Sequence, residues 1–157
     1  MRRATPRDYA EITSLLNAAF APSRYESQLV CRLRAHGKTA YEWVSTDGLG
    51  LSGHICYSRA FRDSKVIGLH LAPVAVRADV QGHGVGSRLI FESLKALEPK
   101  GAAVFVLGDP SYYRRFGFVH VDSPICPFDR DNKHFMAFRW SEGDLFVVGY
   151  EEEFKQA

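Results

Sequence analysis

The chain has 157 residues, 46% of them hydrophobic, enough for one buried core and too few for two ordinary domains, so residues 1–157 are expected to form a single domain. Lysine and arginine number 20 against 18 acidic residues, a net charge of +2 with histidines neutral, which excludes the strong basic excess of a nucleic-acid or membrane-surface binder. Cys31, Cys56 and Cys126 are odd in number and far apart, so the spacing matches neither a disulfide framework nor a paired zinc site.

Met1-Arg2-Arg3-Ala4-Thr5-Pro6 lacks the apolar run of a leader, and no stretch of about 18 apolar residues follows, so a soluble, cytoplasmic protein is expected. Thr5-Pro6-Arg7-Asp8 supplies a cap, a first-turn proline and a carboxylate three residues on, which predicts a helix start. Ile12, Leu15, Leu16 and Ala19 continue it at helical spacing. A second helix carries Leu29, Val30 and Leu33, with Gly37 as its end. Three strands then read as an antiparallel meander: residues 39–45, 49–61 and 65–77, separated by turns at 46–48 and 62–64. Pro73 cannot donate to a ladder, so the third strand should be bulged or broken between Ala72 and Val74.

Beyond a glycine-rich turn, Ile90, Leu94 and Leu97 mark a helix ended by Pro99 and Gly101. Residues 102–107 form a short apolar run, the pattern of a strand buried on both faces, and the intervening helix makes it parallel to strand 65–77. Asp109 and Pro110 begin a short helix through Phe116, closed by Gly117, and a strand leaves from Phe118. Residues 122–133 read as a polar loop, 134–140 as the last long strand, and Glu151-Glu152-Glu153 as a solvated tail.

The chemistry concentrates at Gln81-Gly82-His83-Gly84-Val85-Gly86-Ser87, where glycines alternate between an extended apolar strand and an amphipathic helix. Glycine admits positive φ and puts no side chain in the way, so successive N–H groups can face one anion, and the helix adds its own unpaired donors and dipole. The guest this suits is a diphosphate. A Walker loop would end in glycine-lysine-serine/threonine, whereas here Gly86-Ser87-Arg88 follows. A dinucleotide fingerprint would need G-x-G-x-x-G after the first strand of a doubly wound sheet, and this G-x-G-x-G follows a meander.

Gln81, Gly84 and Gly86 match the Gln/Arg-x-x-Gly-x-Gly/Ala signature, and the chain thereby resembles the GNAT superfamily of acyl-CoA-dependent N-acetyltransferases. Ala72-Pro73-Val74-Ala75-Val76 looks like that family's bulged strand, and Tyr113-Arg114-Arg115-Phe116-Gly117-Phe118 like its tyrosine-x-x-x-Gly-Phe segment. Leu107 to Tyr113 is similar to the Leu-Gly-Asp-Pro-x-Tyr-Tyr stretch of a bacterial subgroup. The resemblance covers about the whole chain. It implies an α/β (α+β) fold: a mixed, mostly antiparallel, twisted sheet of about seven strands flanked by about four helices, splayed between the fourth and fifth strands.

It also implies acetyl-CoA as co-substrate, no metal, and acetyl transfer straight to a primary amine, on either a small molecule or a peptide. Neither nucleic acid nor membrane is implied as partner, and the oligomeric state stays open, a homodimer among the options. A non-catalytic acyl-CoA sensor on the same fold is the alternative.

Carried over residue by residue, the backbone of Val74, Ala75 and Val76 would hold the pantetheine amides, with Gln81, Gly82, His83, Gly84, Val85, Gly86 and Ser87 at the pyrophosphate. Tyr113 matches the general acid that protonates the coenzyme A sulfur, or else it only packs; Tyr112, about 100° away around a helix, is the structural one of the pair. Glu26 matches a glutamate of the subgroup and His70 precedes the bulge, so both are candidate bases beside a water chain; the alternatives are a solvated glutamate and a histidine of undetermined face. Arg114 and Arg115 either reach phosphate or are solvated. Phe20, Arg24 and Tyr25 are acceptor-pocket candidates, and His54 with Cys56 reads as core packing because two ligands make no zinc site.

Overall fold

The computed structural model describes residues 1–157 and contains one seven-stranded sheet. Strand β1 (Arg2–Arg3) is followed by helices α1 (Tyr9–Ala19) and α2 (Tyr25–Ala35), then strands β2 (Tyr41–Asp47), β3 (Gly50–Arg62) and β4 (Lys65–Val76). Helix α3 (Val85–Leu97) leads to β5 (Val104–Leu107), helix α4 (Pro110–Tyr113), β6 (Val119–His120), β7 (Phe135–Phe138) and the short helix α5 (Glu153–Gln156). The order across the sheet is β1-β2-β3-β4-β5-β7-β6, and only the β4–β5 pairing is parallel. The mixed, mostly antiparallel sheet expected from the sequence is present. No helix is long and apolar enough to cross a membrane.

The chain enters as its caps dictate. The Asp8 carboxylate accepts from Thr5 N–H at 2.8 Å and takes the Arg2 guanidinium at 2.8 Å on both oxygens, while Gly37 (φ +67°) closes α2. Both meander hairpins turn on two residues, because Asp47 pairs with Gly50 and Arg62 with Lys65. Leu49, expected inside a strand, is therefore at a turn tip and 80% exposed. The first meander strand also begins two residues later than expected, and the two-residue edge strand β1 was not foreseen, since nothing so short shows alternation.

Helix α3 lays Leu89, Ile90, Leu94 and Leu97 on one face of the sheet, against Ile55, Tyr57, Leu69 and Val104. Each such side chain contributes about 1.5–3 kcal/mol when fully buried. Two polar groups in this layer satisfy each other, since Ser93 donates to the Ile90 carbonyl and pairs with the Tyr57 hydroxyl at 2.7 Å. Helices α1 and α2 cover the other face with Ile12, Leu16 and Val30 on Val44, Cys56 and Ala75. His54 is fully buried there, its Nε2 2.7 Å from Glu42, which also receives Arg34, so His54 and Cys56 are core residues.

One glycine makes the parallel pairing possible. A Cβ on Gly68 would lie 2.6 Å from the Ala103 carbonyl oxygen, so only glycine lets β4 approach the start of β5 this closely.

The C-terminus corrects the sequence reading. Glu151 and Glu153 are buried, not solvated: Arg59 donates to Glu151 at 2.8 Å and Lys38 to Glu153 at 2.7 Å. Glu152, between these two acids at the start of α5, is exposed. Tyr25 Oη donates to the Phe154 carbonyl at 2.7 Å, fastening the terminal segment across the mouth of the sheet. The 122–133 loop is pinned as well, by buried Asn132, whose side chain binds the Val121 and Pro124 carbonyls and the Cys126 amide.

Candidate active site

The site begins where β4 leaves its parallel neighbour. Leu69, His70 and Leu71 pair with Val104, Phe105 and Val106, and the ladder stops there although β4 runs on to Val76. On its other side β4 stays paired, with Val74, Ala75 and Val76 opposite Ile55, His54 and Gly53, but the register slips between Ile55 and Tyr57. Ala72 and Pro73 thus share the space opposite the single residue Cys56. This is the bulge expected at Ala72 to Val74, and Pro73 fits it because it has no N–H to donate. The outer edge of β4 beyond Leu71 therefore faces no strand, while β5 ends at Leu107 and Gly108 N–H is taken by the His134 carbonyl.

At the end of this open edge sits the glycine turn. Gly82 (φ +77°) and Gly84 (φ +84°) occupy the left-handed region, and their N–H groups donate to nothing within the chain. The first helical bond runs from Arg88 N–H to the Gly84 carbonyl, so the amides of Val85, Gly86 and Ser87 form a first turn without intrahelical acceptors. His83 departs from the expectation, because its N–H is spent on the Val80 carbonyl at 3.3 Å. Gln81 departs too: its side-chain amide donates to the Val76 carbonyl at 3.1 Å and ties the turn to the end of β4. A Cβ on Gly86 would sit 3.3 Å from Val76 and 3.4 Å from the Tyr112 hydroxyl, which itself meets Ser87 Oγ at 3.2 Å. Tyr112 is thus a support for the turn.

Beside the bulge lies a cavity of about 380 Å³, lined on the sheet side by Leu71, Ala72, Pro73, Val74 and Leu107, and closed by Tyr113. Tyr113 is buried in α4, which starts on the Asp109 carboxylate accepting from Ser111 N–H at 3.0 Å. Burial first, and then the neighbouring Tyr112, push its phenol up to about 12, and its hydroxyl has no partner in the chain. Glu26, in the first turn of α2, lines the same cavity, with Ser23 Oγ donating to it at 3.1 Å. Phe20 and Tyr25 also line it, whereas Arg24 precedes α2 as its cap and does not. Arg114 and Arg115 are exposed, and the Arg115 guanidinium lies 4.6 Å from the centre of the Tyr112 ring.

His70 reaches the cavity from β4, which settles the face that alternation left open. Its ring stacks on Tyr150 at 3.6 Å, and Nε2–H donates to the Gly149 carbonyl at 3.0 Å. Burial lowers its proton affinity to about 3, partly offset by that bond. An imidazole so held is neutral and a poor base near pH 7. The unfolded chain would protonate it below about pH 6.5 while the folded chain does not until about 3, so its contribution, complete above 6.5, is lost as pH falls. About 2 kcal/mol of stability should disappear between pH 6.5 and 5 on this account. Melting curves of the native protein and His70→Phe over that range should therefore diverge, the variant losing less; parallel curves would mean that His70 is not held neutral.

Tyr150, Phe128 and Phe154 also line the cavity, and sequence reasoning missed all three. The available signal for two of them was an aromatic residue on each side of the terminal acids, Tyr150-Glu151-Glu152-Glu153-Phe154, which the run of like charge obscured.

Residues 10–130 match the family model described as acetyltransferase (GNAT) domain. The chain is 37% identical to the N-acetyltransferase YhbS of Escherichia coli over 168 aligned positions, 99% of this chain and 98% of that one. A crystal structure of YhbS with CoA superposes with a TM-score of 0.90 at 31% identity, covering 98% of this chain and 90% of the other. A GNAT acetyltransferase of Brucella melitensis with acetyl-CoA superposes at 0.82, also 31% identical, covering 98% and 96%.

Proposed function

Because the chain belongs to the GNAT acetyltransferase family, we propose that its wedge between β4 and β5 holds acetyl-CoA and that Tyr113 completes direct acetyl transfer to a primary amine. The observation that carries this is the coincidence of three features along one strand: an unpaired edge beyond Leu71, unpaired amides at its end, and a free phenol in the adjoining cavity. The YhbS and Brucella structures contain CoA and acetyl-CoA, which supports coenzyme A as the guest here.

In this reading the amides of Gly82, Gly84, Val85, Gly86 and Ser87 face the pyrophosphate, helped by the dipole of α3. Gln81 and His83 hold the turn in shape through Val76 and Val80. The backbone of Val74, Ala75 and Val76 offers the pantetheine arm the ladder that β5 abandons, and a bulge amide could polarise the thioester carbonyl. The amine nitrogen attacks the carbonyl carbon, the carbon–sulfur bond breaks, and the departing sulfur takes the Tyr113 proton. The amine's proton leaves through Glu26 or through water. His70 is a wall and support for Tyr150 in this scheme, not the base.

Direct transfer is favoured because no cysteine lines the cavity. Cys56 is buried in the core with its thiol pushed far up, and Cys126 lies behind Tyr150, 3.5 Å from its hydroxyl. The test is thiol release from acetyl-CoA across a panel of amines, alongside calorimetric titration with CoA. Amine-dependent release is expected; tight CoA binding with no turnover on any amine would favour an acyl-CoA sensor.

A further inference from the structure

If acetyl transfer takes place at Tyr113, the remaining walls of the cavity restrict which amine can stand beside the thioester. Most of the lining is apolar, and several polar groups that do reach it are already committed within the protein. Tyr25 Oη donates to the Phe154 carbonyl at 2.7 Å, Tyr150 Oη meets Cys126 Sγ at 3.5 Å, and His70 Nε2 donates to Gly149 at 3.0 Å. Glu26 is the one acidic lining residue, and no lysine or arginine lines the cavity. A substrate carboxylate or phosphate would be buried without a cation, and a second ammonium would be buried without a second acid.

The apolar wall is also shaped for a ring. Tyr150 stands edge-on to Phe128 and to Phe154, each at 4.9 Å between centres, while its face is taken by His70. These aromatic contacts make a stiff surface whose exposed edges suit an aliphatic chain or an aromatic face. The cavity volume is near the lower end for small-molecule sites, and the acetyl end of the coenzyme shares it, which leaves room for about one ring and a short arm.

We infer that the acceptor is a small primary monoamine on an apolar body, an arylalkylamine or short alkylamine without a carboxylate, whose amino group is received by Glu26. The inference rests on the acetyltransferase reading and specifies its second substrate.

Two matched pairs of amines test it with the intact protein and acetyl-CoA. Phenylethylamine and phenylalanine differ by a carboxylate, while hexylamine and spermidine differ by added ammonium groups. The apolar member of each pair is expected to exceed its partner by at least ~100-fold in kcat/KM, the scale of one unpaired buried charge. If phenylalanine, spermidine or a lysine-containing peptide matches or exceeds the apolar amines, the class is overturned although acetyl transfer stands. If hexanoyl-CoA outruns acetyl-CoA on spermidine, the apolar space houses the acyl chain and the class is again overturned. CoA binding without transfer to any amine would overturn the acetyltransferase reading itself. In Glu26→Gln the KM for phenylethylamine should rise about tenfold, as for loss of a charge-assisted hydrogen bond, with the KM for acetyl-CoA unchanged. An unchanged amine KM would remove Glu26 as the receiver.

Discussion

Replacing Gly84 with glutamate should weaken CoA binding by at least ~100-fold, because a carboxylate placed about 4 Å from a phosphate in this partly shielded turn costs about 4 kcal/mol. The fold should survive the change. A Cβ at Gly84 meets nothing within 4 Å, so the new side chain has room beside the unpaired amides of Gly82 and Gly84. The backbone stays strained, since φ is +84°, a conformation that costs an L residue about 1–2 kcal/mol. That strain should lower Tm by roughly 2–8 °C. Gly84→Ala carries the same strain without the charge and serves as control. Isothermal titration with CoA, beside thermal melts of both variants, distinguishes the two contributions. Equal affinities for the alanine and glutamate variants would place the pyrophosphate away from Gly82 to Ser87.

Tyr113→Phe is the other large expected effect, and it falls on rate instead of affinity. The ring would still wall the cavity and pack on Gly108, and the lost hydroxyl has no partner in the chain, so folding and CoA binding should change little. What disappears is the proton for the leaving sulfur, and kcat should fall by about 10²–10⁴-fold. Because burial pushes the phenol up to about 12, it stays protonated through any ordinary assay. No alkaline loss of activity below about pH 10 should therefore arise from Tyr113. Single-turnover measurements keep slow product release from masking the effect. An unchanged single-turnover rate in the variant would exclude Tyr113 as the acid.

The elements that stand clear in the sequence are those whose determinants are local. The glycine turn was legible because Gly82 and Gly84 are needed for positive φ and Gly86 for close approach, constraints that act within a few residues. The break in β4 was legible because Pro73 cannot donate to a ladder. Helix α3 announced itself through Ile90, Leu94 and Leu97, and α4 through Asp109 and Pro110.

The cavity beside the bulge was much less legible. Tyr150 and Phe154 come from the far end of the chain, and they line the cavity because Glu151 and Glu153 meet Arg59 and Lys38, partners about 90 and 115 positions away. An acidic run looks solvated until those cations are in place. His70 likewise could not be assigned a face, since the bulge interrupts the alternation from which a face is read. Its packing against Tyr150 decides both its neutrality and its role. The sequence by itself determined the glycine turn, the broken strand and the family, since local backbone rules govern the first two and motif spacing reports the third. Only the tertiary structure decided the walls of the cavity, because they are built from contacts between residues far apart along the chain, and the energy of such contacts depends on burial that no local pattern records.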